Sequence, residues 1–183
     1  MAILQLGDGT ISHNFDEIVR ELAAFSICLK HYPLNSSLLS TALLAEAILP
    51  EAEKRELLEL YDRQFSLLKQ ETSCLWYDLL VLHPGSPHLH TLSQANHYHT
   101  HTASETLCVL AGAAIFSFIE LDGRQVQLLV QPGDFIQIPA GVEHWFSLTA
   151  TLQFKAVRYF TTVDGWVPRY AASDMSNFLK KRL

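Results

Sequence analysis

The chain has 183 residues, 49 % of them hydrophobic, with 19 acidic against 13 basic residues and a formal net charge of −6. That length supports one domain with its own core, and the dispersed apolar residues exclude intrinsic disorder. The acidic balance, with no basic cluster before the terminal "LKKRL", excludes the phosphate-neutralising face of a nucleic-acid binder, and no apolar run reaches a membrane span.

The opening "MAILQLGDGTISHNF" has no basic stretch and meets Asp8 too early for a secretory leader, so a cytosolic protein is expected. Residues 1–73 read as mainly helical. In "NFDEIVRELAAFSICLK", Asn14 is a candidate N-cap, acids follow in the first turn, and Ile18, Leu22 and Phe25 recur at helical spacing. "SLLSTALLAEAIL" is a candidate second helix. "PEAEKRELLELYDRQFSLLKQE" is the clearest one: Pro50 suits its first turn, and Leu57, Leu60, Tyr61 and Phe65 form a core stripe.

From residue 74 the pattern changes to short β segments: "CLWYDLLVL", then the loop "HPGSPHLHTLSQAN", then "ETLCVLAG", "AAIFSFIEL", "RQVQLLV", "FIQIPA", "EHWFSL" and "LQFKAVRYF". Asp122-Gly123 reads as a tight hairpin turn and "QPGD" as another turn. Many short strands between turns predict a closed or nearly closed antiparallel β-barrel over residues 74–170, sharing one core with the helical segment in a single domain, 1–183. Residues 171–183 are expected to form a short helix with cations at its C-terminal end. Cys28, Cys74 and Cys108 are far apart, form no CxxC pair, and read as reduced, mostly buried thiols.

The chemistry concentrates in "NHYHTHTASE". In an extended segment alternate residues share a face, which groups His97, His99 and His101 with Glu105, Leu107 and Val109. A glutamate on an apolar inward face is costly unless paired or coordinated. Downstream, "GDFIQIPAGVEHWF" carries His144 just after a turn. The spacing His99, His101, Glu105, Gly112, followed by Gly133, Pro139, Gly141, His144, resembles the two signature motifs of the cupin superfamily, a small antiparallel barrel (double-stranded β-helix or jelly roll). That resemblance implies that His99, His101, Glu105 and His144 bind one divalent metal ion. Ser93 and Leu148 depart from the motif ends, and neither is a ligand position. A register based on His97 and His99 would need an acid at Ala103. His97 is therefore extra, and reads as an exposed loop residue, as do His88 and His90. Three imidazoles and one carboxylate suit Fe(II), Ni(II), Mn(II), Zn(II) or Cu(II) and leave open coordination positions.

A narrower likeness follows. "HYHTHTASETLCVLAGAAIFSF", "GDFIQIPAGVEHWFSL" and "FKAVRYFTTVDGWVPRYA" resemble successive blocks of the acireductone dioxygenases, single-domain cupins with helices before the barrel. The resemblance implies a methionine-salvage enzyme. With Fe(II) it would cleave 1,2-dihydroxy-3-keto-5-methylthiopentene with O₂ to formate and a 2-keto acid, and with Ni(II) it would yield carbon monoxide, formate and methylthiopropionate. Fe(II) is the expected cofactor, Ni(II) the alternative, one ion per chain. The partners implied are an anionic enediol and O₂, in a monomer or small homo-oligomer with no nucleic-acid or membrane partner.

Leu152, Phe154, Ala156, Arg158 and Phe160 share one apolar face, so Arg158 is expected inside the barrel, compensated by a substrate anion. Phe146 and Trp166 match pocket-lining positions of the family, or are ordinary packing. The family's acid before the paired histidines, acid before the glutamate and arginine after it are replaced by Tyr98, Ser104 and Leu107. Leu107 points inward and should face substrate. These departures keep two other readings open: a metal-dependent cupin enzyme of another kind, or a binding cupin without turnover.

Overall fold

The computed structural model describes residues 1–34, 37–86, 89, 97–119 and 123–170. In chain order it contains β1 (Ile3–Leu6), β2 (Ile11–Ser12), α1 (Phe15–Ala23), β3 (Cys28–His31), α2 (Leu38–Ala45), α3 (Glu51–Glu71), β4 (Trp76–Leu82), β5 (His99–Thr100), β6 (Glu105–Gly112), β7 (Ala114–Ile119), β8 (Gln125–Val130), β9 (Asp134–Ile138), β10 (His144–Leu148), β11 (Phe154–Phe160) and β12 (Arg169–Tyr170). The strands pair antiparallel in two sheets, one ordered β12-β5-β10-β7-β8-β1-β2 and the other β3-β9-β6-β11-β4. This is the antiparallel cupin-type architecture the sequence predicts. The barrel, however, is flattened: among the described residues the two sheets do not close on each other.

The core lies between the sheets. Phe116, Phe118, Val126, Leu128 and Phe146 of the seven-stranded sheet meet Leu107, Val109, Ile136, Ile138, Phe154 and Ala156 of the five-stranded one, and Ile18 and Leu22 of α1 join the same cluster. A second apolar layer covers the outer face of the five-stranded sheet. There Leu57, Tyr61, Phe65 and Leu68 of α3 pack on Leu79, Cys108, Leu110, Val157 and Tyr159. This explains why β6 is buried along both faces and reads as a continuous apolar run rather than an alternating one.

Local sequence sets the boundaries. Asn14 Oδ1 accepts from the N–H groups of Asp16 and Glu17 and starts α1. The helix stops at Ala23, because Ser26 takes a positive φ of 58° and the N–H of Ile27 returns to the carbonyl of Leu22. Cys28, Leu29 and Lys30, expected in the helix, are instead a strand paired with β9. Together with β1 and β2, this puts three strands of the sandwich in the segment read as mainly helical. Ser37 and Ser40 form a reciprocal cap on α2. Leu60 is not part of the α3 core stripe; it is exposed, and Leu68 takes its place.

The turns fall where the glycines are. In "QPGD" the N–H of Asp134 donates to the carbonyl of Gln131, and Gly133 has φ +89°. Around Gly123 the chain reverses from β7 to β8; Asp122 lies outside the described residues, as do the predicted helix 171–183, His88, His90 and Ser93. Leu152 departs from the predicted β11 face. It precedes the strand, at φ +51°, and is exposed. Among the described residues no helix is long and apolar enough to cross a membrane.

Candidate metal centre

His99, His101, Glu105 and His144 converge at one point, their donor atoms all within 4.8 Å of one another and all four side chains buried. They are not carried by one continuous strand. The chain leaves the seven-stranded sheet after Thr100 and enters the five-stranded sheet at Glu105, so the path between them bends and the single extended segment expected from shared parity is not present. His144 is placed by the ladder of β10, directly opposite His99 on one side and Phe118 on the other. His101 is drawn toward it because its carbonyl accepts the N–H of Gly141, in the turn before β10. His97 is exposed and outside the cluster, and its backbone carbonyl accepts from His99.

The hydrogen bonds fix how two of the imidazoles present themselves. His99 Nδ1–H donates to the carbonyl of His97 at 2.8 Å, and His144 Nδ1–H donates to that of Val142 at 2.9 Å. A carbonyl only accepts, so the proton sits on Nδ1 and the Nε2 lone pair is directed into the cluster. Glu105 Oε2 stands 3.1 Å from Nε2 of both His101 and His144. Lone pairs facing a carboxylate oxygen repel unless a proton or a cation lies between them. Two donors at right angles about 2.1 Å from one ion would stand about 3.0 Å apart, which matches both contacts. The donor set therefore fits a metal ion.

The electrostatics agree for Glu105 and His99. Burial opposes ionisation of Glu105, but the contacts with His101 and His144 outweigh it and hold its carboxyl far below the usual carboxylate range. Burial pushes the His99 imidazole down, toward the neutral form a ligand needs. Burial also pulls on His144, yet its contact with Glu105 raises it overall.

A cavity of about 220 Å³ opens over this cluster, with His99, His101 and Glu105 in its floor. Leu80, Leu107, Phe146 and Trp166 form an apolar wall, and Arg158 and Tyr170 complete it. Phe146 also packs edge-on against Phe116, so it is both wall and core. Among the described residues, Glu105 is the one carboxylate that lines the cavity. Tyr98 points elsewhere: its hydroxyl bonds Ser117 and Gln125 on the outer face of the seven-stranded sheet, so its departure from the family pattern leaves the cavity untouched.

The structure adds a residue that the sequence reading missed. Arg158 is already compensated, by Asp78. Its Nε–H donates to Asp78 Oδ1 at 2.8 Å and its Nη2–H to Oδ2 at 2.5 Å. The signal was present: Asp78 shares strand parity with Leu80 and Leu82, so it is an acid on an inward face, as Glu105 is. Tyr170 was also missed; β12 pairs it with His99, ring centroids 5.7 Å apart.

An antiparallel double sheet with three imidazoles and a carboxylate at its inner end defines a cupin with a site for one metal ion. A family model described as the ARD/ARD' family matches residues 87–168. A protein of Nostoc sp. named acireductone dioxygenase is 54 % identical over 182 residues, covering 99 % of this chain and 100 % of the relative. One from Leptospira biflexa with the same name is 36 % identical over 156 residues, covering 85 % of this chain and 86 % of its own length. The solved structure of acireductone dioxygenase from Bacillus anthracis with cadmium ion in active center superposes with a TM-score of 0.82 at 24 % identity, over 93 % of this chain and 98 % of that one, and shows the same fold. The chain belongs to the acireductone dioxygenase family.

Proposed function

We propose that His99, His101, Glu105 and His144 hold one divalent ion, Fe(II) in the working enzyme and Ni(II) as the alternative occupant, and that the cavity above them receives an anionic enediol. The reaction is the family's: 1,2-dihydroxy-3-keto-5-methylthiopentene and O₂ give formate and a 2-keto acid, in methionine salvage. The observation that carries this reading is the buried cluster of three imidazoles and one carboxylate, of which His99, His101 and Glu105 floor a cavity whose one cationic side chain among the described residues is Arg158, in a chain of this family.

When bound, the ion supplies a redox-active Lewis acid with positions open to two neighbouring oxygens. The residues do the rest. Glu105, held ionised, offsets one of the ion's two charges. The carbonyls of His97 and Val142 lock the rings of His99 and His144, so the donor set is arranged before the ion arrives. Leu80, Leu107, Phe146 and Trp166 exclude water from the substrate's carbon chain. Arg158 donates hydrogen bonds to substrate oxygen from the wall. The free thiols Cys28, Cys74 and Cys108 fit the cytosolic location we assign.

The test is reconstitution. Protein stripped of metal and reloaded anaerobically with one equivalent of Fe(II) is mixed with the acireductone and O₂, and formate and keto acid are quantified against substrate lost. Stoichiometric formation of both is expected. Full Fe(II) occupancy without turnover would overturn the proposed function.

A further inference from the structure

We infer that Asp78 is a positioning residue for the reaction, aiming the free edge of the Arg158 guanidinium into the cavity over the metal cluster. The inference rests on the function proposed above and deepens it.

The geometry is a row across the five-stranded sheet. Asp78 of β4, Arg158 of β11 and Leu107 of β6 are direct cross-strand neighbours. Arg158 and Leu107 line the cavity, whereas Asp78, on the other side of Arg158 from Leu107, is not among its lining residues. Asp78 grips the guanidinium side-on, through Nε and Nη2. Of the five N–H donors of an arginine, this uses two and leaves the end-on edge, Nη1 with the second Nη2 hydrogen, for a ligand. The rings of Phe160 and Trp166, with centroids 5.2 Å and 5.8 Å from the guanidinium carbon, restrict the plane. On the other flank Leu107 offers no polar atom. Among the described residues Asp78 is the polar partner that fixes where the fork points.

The pairing also changes what Arg158 contributes. The carboxylate of Asp78 neutralises the guanidinium, so the pair adds direction rather than net charge to the cavity. These two roles predict opposite outcomes when Asp78 is removed. If Asp78 acted only through its charge, its loss would strengthen binding of an anionic substrate and lower KM. If it positions Arg158, its loss lets the side chain rotate away, and KM rises although the cavity has become more positive.

The experiment uses Fe(II)-loaded full-length protein: wild type, Asp78→Asn, Asp78→Ala, Arg158→Ala and the double variant Asp78→Ala/Arg158→Ala. Metal content and melting temperature are measured alongside kinetics with the acireductone. A second readout needs no turnover: the Nε–H signal of Arg158 in heteronuclear NMR, assigned by its absence in Arg158→Ala. Asp78→Ala should raise KM by about tenfold with kcat within about threefold, as loss of one oriented charged contact does. Asp78→Asn, which keeps one acceptor for Nε, should fall between it and wild type. Asp78→Ala should cost nothing further in the Arg158→Ala background. The Nε–H signal should be sharp in wild type and broadened in Asp78→Ala. A KM that falls or stays constant, multiplying effects in the double variant, or an unchanged Nε–H signal would overturn the inference. A wild type that holds Fe(II) but does not turn over would overturn the proposed function, while the NMR comparison still decides whether Asp78 orders Arg158.

Discussion

Leu107 stands directly opposite Arg158 in the ladder between β6 and β11, at the position where the family pattern has a second arginine. Only 2 % of Leu107 is exposed, and Asp78, the acid of this row, is already engaged by Arg158. Like charges directly across a strand pair repel, and a buried guanidinium without its own partner is costly. Leu107→Arg should therefore lower stability by about 3 kcal/mol or more in urea unfolding, whereas the volume-conserving Leu107→Met should cost less than about 1.5 kcal/mol. Equal stability of wild type and Leu107→Arg would show that the cavity accepts two guanidinium groups side by side.

The glycine that ends β6 makes a sharper case for backbone shape. Gly112 has φ +73°, and a Cβ there would lie 2.1 Å from the carbonyl oxygen of Gln153. Nothing flexible can yield, because the obstacle is main chain beside the register shift between β6 and β11. Gly112→Ala should cost about 2–4 kcal/mol. Gly9 has a similar φ, +88°, but no atom within 4 Å. Gly9→Ala should cost only about 1–2 kcal/mol, the price of the left-handed conformation itself. Thermal unfolding of the two variants under one condition checks the ranking.

Lys155 provides a pH dependence remote from the metal. It is buried beneath the helical layer, and its Nζ donates to the carbonyl of Leu44 in the last turn of α2. Burial pushes its ammonium below the ordinary lysine value, against the opposing pull of Glu46. The folded state thus gives up this proton more readily than the unfolded state. Wherever the unfolded chain binds more protons, stability rises with pH, here through the window below the ordinary lysine pKa of about 10.4. The stability of wild type relative to Lys155→Met should accordingly grow as pH is raised from neutral toward 9.5. Urea unfolding of both proteins across that range tests it; a difference that shrinks or stays flat would contradict the direction.

Much of this was legible in the sequence, for identifiable reasons. Asn14, Gly123, Gly133 and the apolar alternation are local signals, and they mark a helix start, two sharp turns and the strands of the sandwich. The four converging side chains were readable because motif spacing survives even though the chain bends between Thr100 and Glu105. Other features depend on partners distant in sequence. The strand Cys28–His31 is specified by β9, about a hundred residues away, so its local pattern passes for the end of a helix. The Asp78–Arg158 pair joins strands 80 residues apart, and neither residue names the other. Closure of a barrel is likewise a property of sheet edges, which no single strand encodes.

The cluster itself yields the final prediction. Glu105 supplies its one negative charge, and His144 presents a lone pair because Val142 holds its other nitrogen. Glu105→Gln keeps the shape and removes the charge; His144→Ala keeps the backbone and removes a donor. His97→Ala removes a side chain outside the cluster while retaining the carbonyl that His99 uses. Altering a group that merely orients a ligand typically weakens metal binding about 10–100-fold, so losing a ligand should weaken it at least as much. Elemental analysis after dialysis against a weak chelator should find Glu105→Gln and His144→Ala largely metal-free and His97→Ala close to one ion per chain. The melting temperature adds a second measure. Metal that binds only the folded state stabilises it by mass action, so added Fe(II) or Ni(II) should raise the melting point of wild type and His97→Ala and leave the two ligand variants nearly unmoved. Equal metal loss in all three proteins would mean that the ligand set has been drawn around the wrong histidines.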